Sequence, residues 1–208
     1  FLTAVTRGET FPEGQWIMRM TFLGAGSAFT TAPGNFQSNM FIEADPPADG
    51  DTAKRSGLLI DCGSDARWSL AAQGMSALNI DTVYVSHFHA DHVGGMEWLG
   101  FTGYFNPECH KPTLILAEPM VEPLWHGYMK PGMEALDFGE ASLSDYFDVR
   151  PVAEDGSFQW GGTLFEVVST DHIVSAGTTM LSYGLMIHRG ERRIYLTTDC
   201  CFDRKNLD

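Results

Sequence analysis

The stretch that most constrains this chain is SHFHADHVGG, residues 86–95, which sets His87, His89, Asp91 and His92 within six positions and follows them with two glycines. It comes directly after DTVYV (81–85), a compact β-branched run that reads as a strand. On a helix, at about 100° per residue, the four side chains would point near ~0°, ~200°, ~40° and ~140° and scatter. On a strand His87 and His89 share a face, but Asp91 and His92 alternate and cannot both join them. The four converge only if the chain leaves the strand and turns sharply, and Val93-Gly94-Gly95 suits the exit from such a turn. Imidazole and carboxylate donors fit zinc, and also iron or manganese. Four of them in one tight loop can serve a single cation or be divided between two neighbours. A chance cluster of surface histidines is the poorer reading, because the whole chain has only seven.

The rest of the composition narrows the setting. Thirteen basic against 27 acidic residues give a formal charge of −14 in 208 residues, a surface that repels polyanions. The densest basic cluster, Arg189, Arg192 and Arg193, reads as a hairpin rim, so no long nucleic acid is expected as a partner. No apolar run approaches about 18 residues, and the N-terminal stretch lacks the apolar core of a signal peptide. Four cysteines (62, 109, 200 and 201) without CxxC spacing read as reduced thiols in a cytoplasmic protein rather than a disulfide framework.

Along the chain, IMRMTFL (17–23), NMFIEA (39–44) and GLLID (57–61) read as strands, the last two joined by a polar, Pro/Gly-rich linker. SDARWSLAAQG predicts a short helix capped by Ser64, with Ala66, Leu70 and Ala71 on one face and Gly74 as its stop. GMEWLGF starts another helix, and PTLILAE (112–118) another strand. Residues 119–146 are mixed, with the loop MKPGMEALDFGEASLS (129–144) suggesting a cover over a site. FDVRPV, TLFEVVS (163–169), LSYGLMIH (181–188) and RRIYLTT (192–198) follow as strands, with HRGE as a hairpin turn. Strands dominate both halves, which favours two sheets covered by helices over a doubly wound parallel sheet. Residues 1–17 read as an N-terminal extension and 18–208 as the folded domain.

SHFHADHVGG resembles the HxHxDH motif of the metallo-β-lactamase superfamily, placed after a hydrophobic strand as in that family. The order of the flanking motifs is similar too: IDCG (60–63) before it, STDH (169–172) and LTTD (196–199) after it, and MTFLGAGSAFT at the front. The resemblance spans about residues 18–203 and implies an α+β, four-layer αββα sandwich with a dinuclear site. Carried over residue by residue, it assigns His87, His89 and His172 to a first metal and Asp91 and His92 to a second, with Asp199 bridging. Asp61 would orient the ligand loop without binding metal. The implied cofactors are two divalent ions, zinc first, with manganese or iron as alternatives. His110, His126 and His188 match nothing in the pattern. The family also carries a further histidine past the bridging aspartate, on a last strand-to-helix turn. Residues 200–208 hold none, so the expected domain lacks the family's C-terminal strand and helix.

Two cations sharing a water supply hydroxide near neutral pH and polarise the attacked centre, so hydrolysis is the expected reaction, with Asp91 also orienting the nucleophile. The aspartate in LTTDCC speaks against the lactamase subgroup with a cysteine ligand there. MTFLGAGSA with NFQSN is similar to the branch containing ribonuclease Z and small phosphodiesterases. GAGS also admits a phosphate-binding loop, though a plain tight turn explains it better. Segment 119–160 is neither long nor basic, unlike the arm of tRNA-processing relatives. The expected activity is therefore a dinuclear phosphodiesterase using a metal-bound hydroxide on a small cyclic or short nucleotide. The alternatives are hydrolysis of a lactone, thioester or β-lactam, iron redox chemistry, or a truncated metal-binding domain without turnover. A homodimer is compatible with the sequence.

Overall fold

The computed structural model of the protein describes residues 18–44 and 57–201. Readings that fall on residues 1–17, most of the 44–56 linker and 202–208 lie outside them. The described strands are, in chain order, β1 (Arg19–Phe22), β2 (Met40–Glu43), β3 (Gly57–Ile60), β4 (Thr82–Val85), β5 (Thr113–Ala117), β6 (Ala135–Leu136), β7 (Gly139–Glu140), β8 (Asp148–Val152), β9 (Ser157–Trp160), β10 (Thr163–Ser175), β11 (Thr178–Arg189) and β12 (Arg192–Leu196). One six-stranded sheet runs β1-β2-β3-β4-β5-β8, antiparallel at its first two junctions and parallel from β3 onward. The second sheet, β12-β11-β10-β9, is antiparallel throughout. β6 and β7 form a small separate ladder.

The two kinds of sheet follow from the two kinds of sequence pattern. GLLI and TVYV are buried at every position, as parallel strands covered on both faces must be. β10 alternates instead: Thr163, Phe165 and Val167 are buried while Leu164, Glu166 and Val168 are half-buried. The sheets meet at Tyr84, which is fully buried and stacks 6.0 Å from Phe158. Its hydroxyl donates to the Tyr183 carbonyl at 2.9 Å, and the Tyr183 N–H donates to the Ser86 carbonyl at 3.0 Å. These two bonds tie the strand that delivers the histidine cluster to the opposite sheet.

All described helices lie between β3 and β8 in the chain: α1 (Ala66–Ala72), α2 (Ala90–Val93), α3 (Met96–Phe105), a π-helical turn (Pro123–Met129), α4 (Lys130–Met133) and α5 (Leu143–Tyr146). Helix and sheet, then sheet, are the layers the described residues supply. These layers agree with the α+β sandwich that the resemblance implies, and a second helix layer is not among the described residues.

Three expectations change. The loop expected as a cover, residues 129–144, belongs to a segment that packs its apolar residues inward. Leu124, Trp125, Met129, Met133 and Tyr146 are buried, Tyr146 packs edge-on against Phe101 of α3, and its hydroxyl donates to the Met133 carbonyl at 2.6 Å. The apolar residues that looked irregular are the second face of a helix layer. Ser64 does not cap α1: Asp65 holds the cap position without a side-chain cap bond, and Ser64 donates to Gln37 Oε1. The buried face of α1 is Ala66, Ser69 and Leu70, leaving Ala71 exposed. Finally, β10 does not end at Ser169. It runs on through His172 to Ser175, with a bulge between Asp171 and Ile173.

Candidate metal centre

β4 ends at Val85, the chain stays extended through His89, and α2 turns back at once. One turn of helix brings Asp91 and His92 inward, 7% and 2% exposed, beneath His87 at 1%. The turn is held against the IDCG loop by backbone bonds from Cys62 N to His92 O (2.8 Å), Ser64 N to Ala90 O (3.0 Å) and Gly95 N to Cys62 O (2.8 Å). Gly63 is where the two segments touch: a Cβ there would lie 2.1 Å from the Asp91 carbonyl oxygen, a close approach that only glycine allows.

Asp61 sits under this turn with φ of +62°, an unusual conformation for a non-glycine residue, and is 1% exposed. Its carboxylate accepts from the Ser86 N–H (2.8 Å), the Ser86 hydroxyl (2.8 Å) and His92 Nδ1 (2.7 Å). Because an ionised carboxylate only accepts, His92 carries a proton on Nδ1 and turns Nε2 toward the centre. Because the Ser86 proton is committed to Asp61, the Ser86 oxygen accepts from His87 Nδ1 at 3.0 Å, and His87 Nε2 is turned to the centre likewise. Asp61 therefore orients two imidazoles, one directly and one through Ser86. Ser86 was not among the sequence candidates. Its only signal is a hydroxyl placed between the strand and the first histidine.

The remote residues arrive from the second sheet. His172 lies at the β10 bulge, and its Nε2 is 3.0 Å from His89 Nδ1, which is 3.2 Å from His87 Nε2. Asp199, three residues after β12, places Oδ2 at 3.5 Å from His92 Nε2 and 3.7 Å from His172 Nε2. Asp91 Oδ2 is 3.4 Å from His92 Nε2. Two donor groups result: His87, His89, His172 and Asp199 in one, Asp91, His92 and Asp199 in the other, each with ligand atoms within 4.8 Å of one another. Both draw on the same aspartate.

This donor set fits divalent cations. Ligand nitrogens about 2.0–2.1 Å from a tetrahedral zinc stand about 3.3 Å apart, and the three imidazole nitrogens approach at 3.0 and 3.2 Å. Burial and then the positive His92 push the His87 imidazole down to about 3, so it is neutral and ready to ligate. His172 is lowered too, by burial first. Burial opposes charge on His92, but hydrogen bonds to Asp199 and Asp61 outweigh it and hold the imidazole up at about 10. That same hydrogen bond from His92 brings the Asp199 carboxyl down to about 2 against its own burial. In the ion-free site His92 is thus an imidazolium between carboxylates, and a cation would take the place of its Nε2 proton.

The remaining histidines pair with carboxylates elsewhere: His110 with Asp81 at 2.8 Å, His126 with Glu122 at 3.1 Å and His188 with Glu166 at 2.7 Å. The GAGS glycines serve the turn. A Cβ on Gly24 would meet the Phe36 and Gln37 carbonyl oxygens at 2.2 and 2.3 Å, and the Gly26 N–H is used by the Phe36 carbonyl at 2.8 Å. All four cysteines are free thiols, and no described helix is long and apolar enough to cross a membrane.

Comparison with known proteins assigns the family. The family described as Anti-Pycsar protein Apyc1 matches residues 18–208. The chain belongs to this family. The Anti-Pycsar protein Apyc1 of Paenibacillus sp. (strain J14) is 37% identical over 191 residues, covering 91% of this chain and 70% of that protein. The protein of the same name from Bacillus phage vB_BsuM-Goe3 is 31% identical over 196 residues, again covering 91% and 70%. Among solved structures, the metallo-β-lactamase fold protein YhfI from Bacillus subtilis superposes with a TM-score of 0.65 at 20% identity, covering 90% of this chain and 64% of that one. Human tRNase Z, short form, gives a TM-score of 0.59 at 18% identity, covering 88% and 69%. The chain thus combines membership of the Apyc1 family with the metallo-β-lactamase fold, and it spans about two thirds of the length of these relatives.

Proposed function

We propose that this chain is the hydrolytic part of a dinuclear phosphodiesterase acting on a small cyclic or short nucleotide. The observation that carries the reading is Asp199, whose carboxylate serves both donor groups at once. His87, His89 and His172 would hold one cation, Asp91 and His92 the other, and Asp199 would bridge them. When bound, such a pair acidifies a shared water and neutralises charge building on phosphoryl oxygens, with zinc the first candidate by donor type.

The chain's own residues supply orientation and access. Asp61 and Ser86 fix which nitrogen of His92 and His87 faces the site. His87 and His92 form a buried floor, whereas Asp199 is 42% exposed at its side chain, so substrate enters from that side. Asp91, only 7% exposed beside His92, is placed to accept a hydrogen bond from an attacking water and direct it. The acidic surface disfavours a long polyanion, and segment 119–160 is neither long nor basic, with its Tyr146 packed on Phe101 of α3. Among the fold neighbours, human tRNase Z is by name an enzyme of phosphodiester chemistry, which supports the reading.

A substrate panel on zinc- or manganese-loaded protein tests this reading: bis-p-nitrophenyl phosphate, cyclic nucleotides with purine and pyrimidine bases, a lactone and nitrocefin. Turnover of the phosphodiesters, abolished by a chelator, is expected. Turnover of only the lactone or nitrocefin overturns the assignment.

A further inference from the structure

Asp199 reaches the centre from a backbone that is held in an unfavourable shape. Thr198, immediately before it, has φ of +50°, a left-handed conformation in which a β-branched side chain is a marked outlier. Such a conformation is costly and persists only where its surroundings impose it. The surroundings here are specific. The Thr198 hydroxyl donates to the Thr197 carbonyl at 2.6 Å and lies 2.8 Å from the hydroxyl of Ser182. With the Thr198 proton so used, Ser182 is the donor between them.

Ser182 is a polar residue at 0% exposure in the middle of β11, where an apolar side chain would be the ordinary choice. It faces Thr170 across the ladder, and its carbonyl accepts from the Thr170 hydroxyl at 3.1 Å. Thr170 lies two residues before His172, and Thr198 lies one residue before Asp199. One buried serine therefore touches both segments that bring ligands from the second sheet, using its carbonyl for one and its hydroxyl for the other.

Resting on the two-cation reading above, we propose that the Ser182–Thr198 hydroxyl pair is a latch that fixes the Asp199 carboxylate and thereby sets the affinity of the cation held by Asp91 and His92. The two donor groups differ in how much they depend on Asp199. The first keeps three imidazoles without it, and the second keeps only Asp91 and His92. Loosening Asp199 must weaken the second cation more than the first. Ser182 and Thr198 are positioning residues, since neither belongs to a donor group.

The test is a cobalt(II) titration of the full chain, read by visible absorption and by metal stoichiometry after gel filtration, with thermal unfolding in parallel. Ser182→Ala is expected to bind the first cation like the parent and the second about 10- to 100-fold more weakly, the range for losing a residue that supports a ligand. Thr198→Ser keeps the hydroxyl and should bind both like the parent. Thr198→Gly removes the hydroxyl and the strain together, so it should unfold no lower than the parent yet still lose second-cation affinity. A merely structural role would instead move stability and affinity in the same direction. Parent-like second-cation binding in both Ser182→Ala and Thr198→Gly overturns the latch, as does equal weakening of the two cations. A parent protein that takes up only one cobalt overturns the two-cation reading, and the latch with it.

Discussion

Asp61→Asn is the sharpest perturbation of the centre, because it keeps volume and backbone while removing charge. Asparagine tolerates the left-handed conformation at this position, so backbone strain does not confuse the outcome. The Asn oxygen can still accept from the Ser86 N–H. The amide nitrogen, however, replaces the oxygen that takes both the Ser86 hydroxyl and His92 Nδ1. A buried hydrogen bond to a charged group contributes about 1.5–3 kcal/mol. Losing or inverting two that share one oxygen should therefore cost roughly 3 kcal/mol in ion-free protein, or about 6–12 °C in Tm at this chain length. The loss carries a pH signature. The folded His92 imidazole is held up at about 10 against an ordinary value of 6.5. Its contribution is complete below the unfolded value and disappears as pH rises through the folded one. Asp61→Asn forfeits part of that contribution, so the stability gap between parent and variant should be widest near pH 6 and shrink toward pH 10. Urea unfolding of chelator-treated protein at pH 6, 8 and 9.5 measures it. In the loaded state, second-cation affinity should fall about 10- to 100-fold. A gap below about 0.5 kcal/mol, or one that does not change with pH, refutes the assigned role of Asp61.

His87→Ala and His89→Ala should each abolish tight uptake of the first cation, measured by competition with a chromophoric chelator; undiminished uptake in both removes the metal assignment. Tyr84→Phe deletes a buried hydroxyl that links the two sheets and leaves the Tyr183 carbonyl without its donor, so about 1–3 kcal/mol of stability should be lost in denaturant unfolding. In thiol titration of native protein, Cys109, Cys200 and Cys201 should react while the fully buried Cys62 reacts only after denaturation. Burial pushes the Cys62 thiol above its ordinary value of 9.0, so this group favours the folded state below that pH and its contribution is lost as pH rises past it, which a denaturation series from pH 8 to 10 will show.

What the sequence made legible was whatever a short segment decides by itself. TVYV (82–85) is β-branched or aromatic at every position and reads as a covered strand, and SHFHADHV has no regular conformation that gathers its four polar side chains, so a turn was forced. The remote residues are a different kind of problem. Nothing in STDH or LTTD states that two strands of another sheet will deliver them to one point; the resemblance supplied that, and the 3.0 Å approach of His172 to His89 is its geometric form. The failures follow the same line. TLFEVVS alternates and then reaches a run of polar residues, which reads as a strand end, yet β11 continues opposite it and the ladder carries β10 on through a bulge to Ser175. Residues 119–146 have no clean helical period because they are divided among a π-helical turn, two single-turn helices and a two-stranded ladder. Ser86, Ser182 and Thr198 escaped for the most general reason. A serine or threonine in or beside a strand is unremarkable until its neighbours in space are known, and each of these three acts through a partner far along the chain or through a backbone angle no sequence pattern displays. The ligands of such a centre are thus the part that sequence encodes locally, while the parts that aim them are encoded by the packing of one sheet on the other. It follows that substitutions able to tune the two cations unequally should be sought at Ser86 and Ser182, whose hydroxyls aim ligands without being ligands, rather than at Asp199, which both donor groups share.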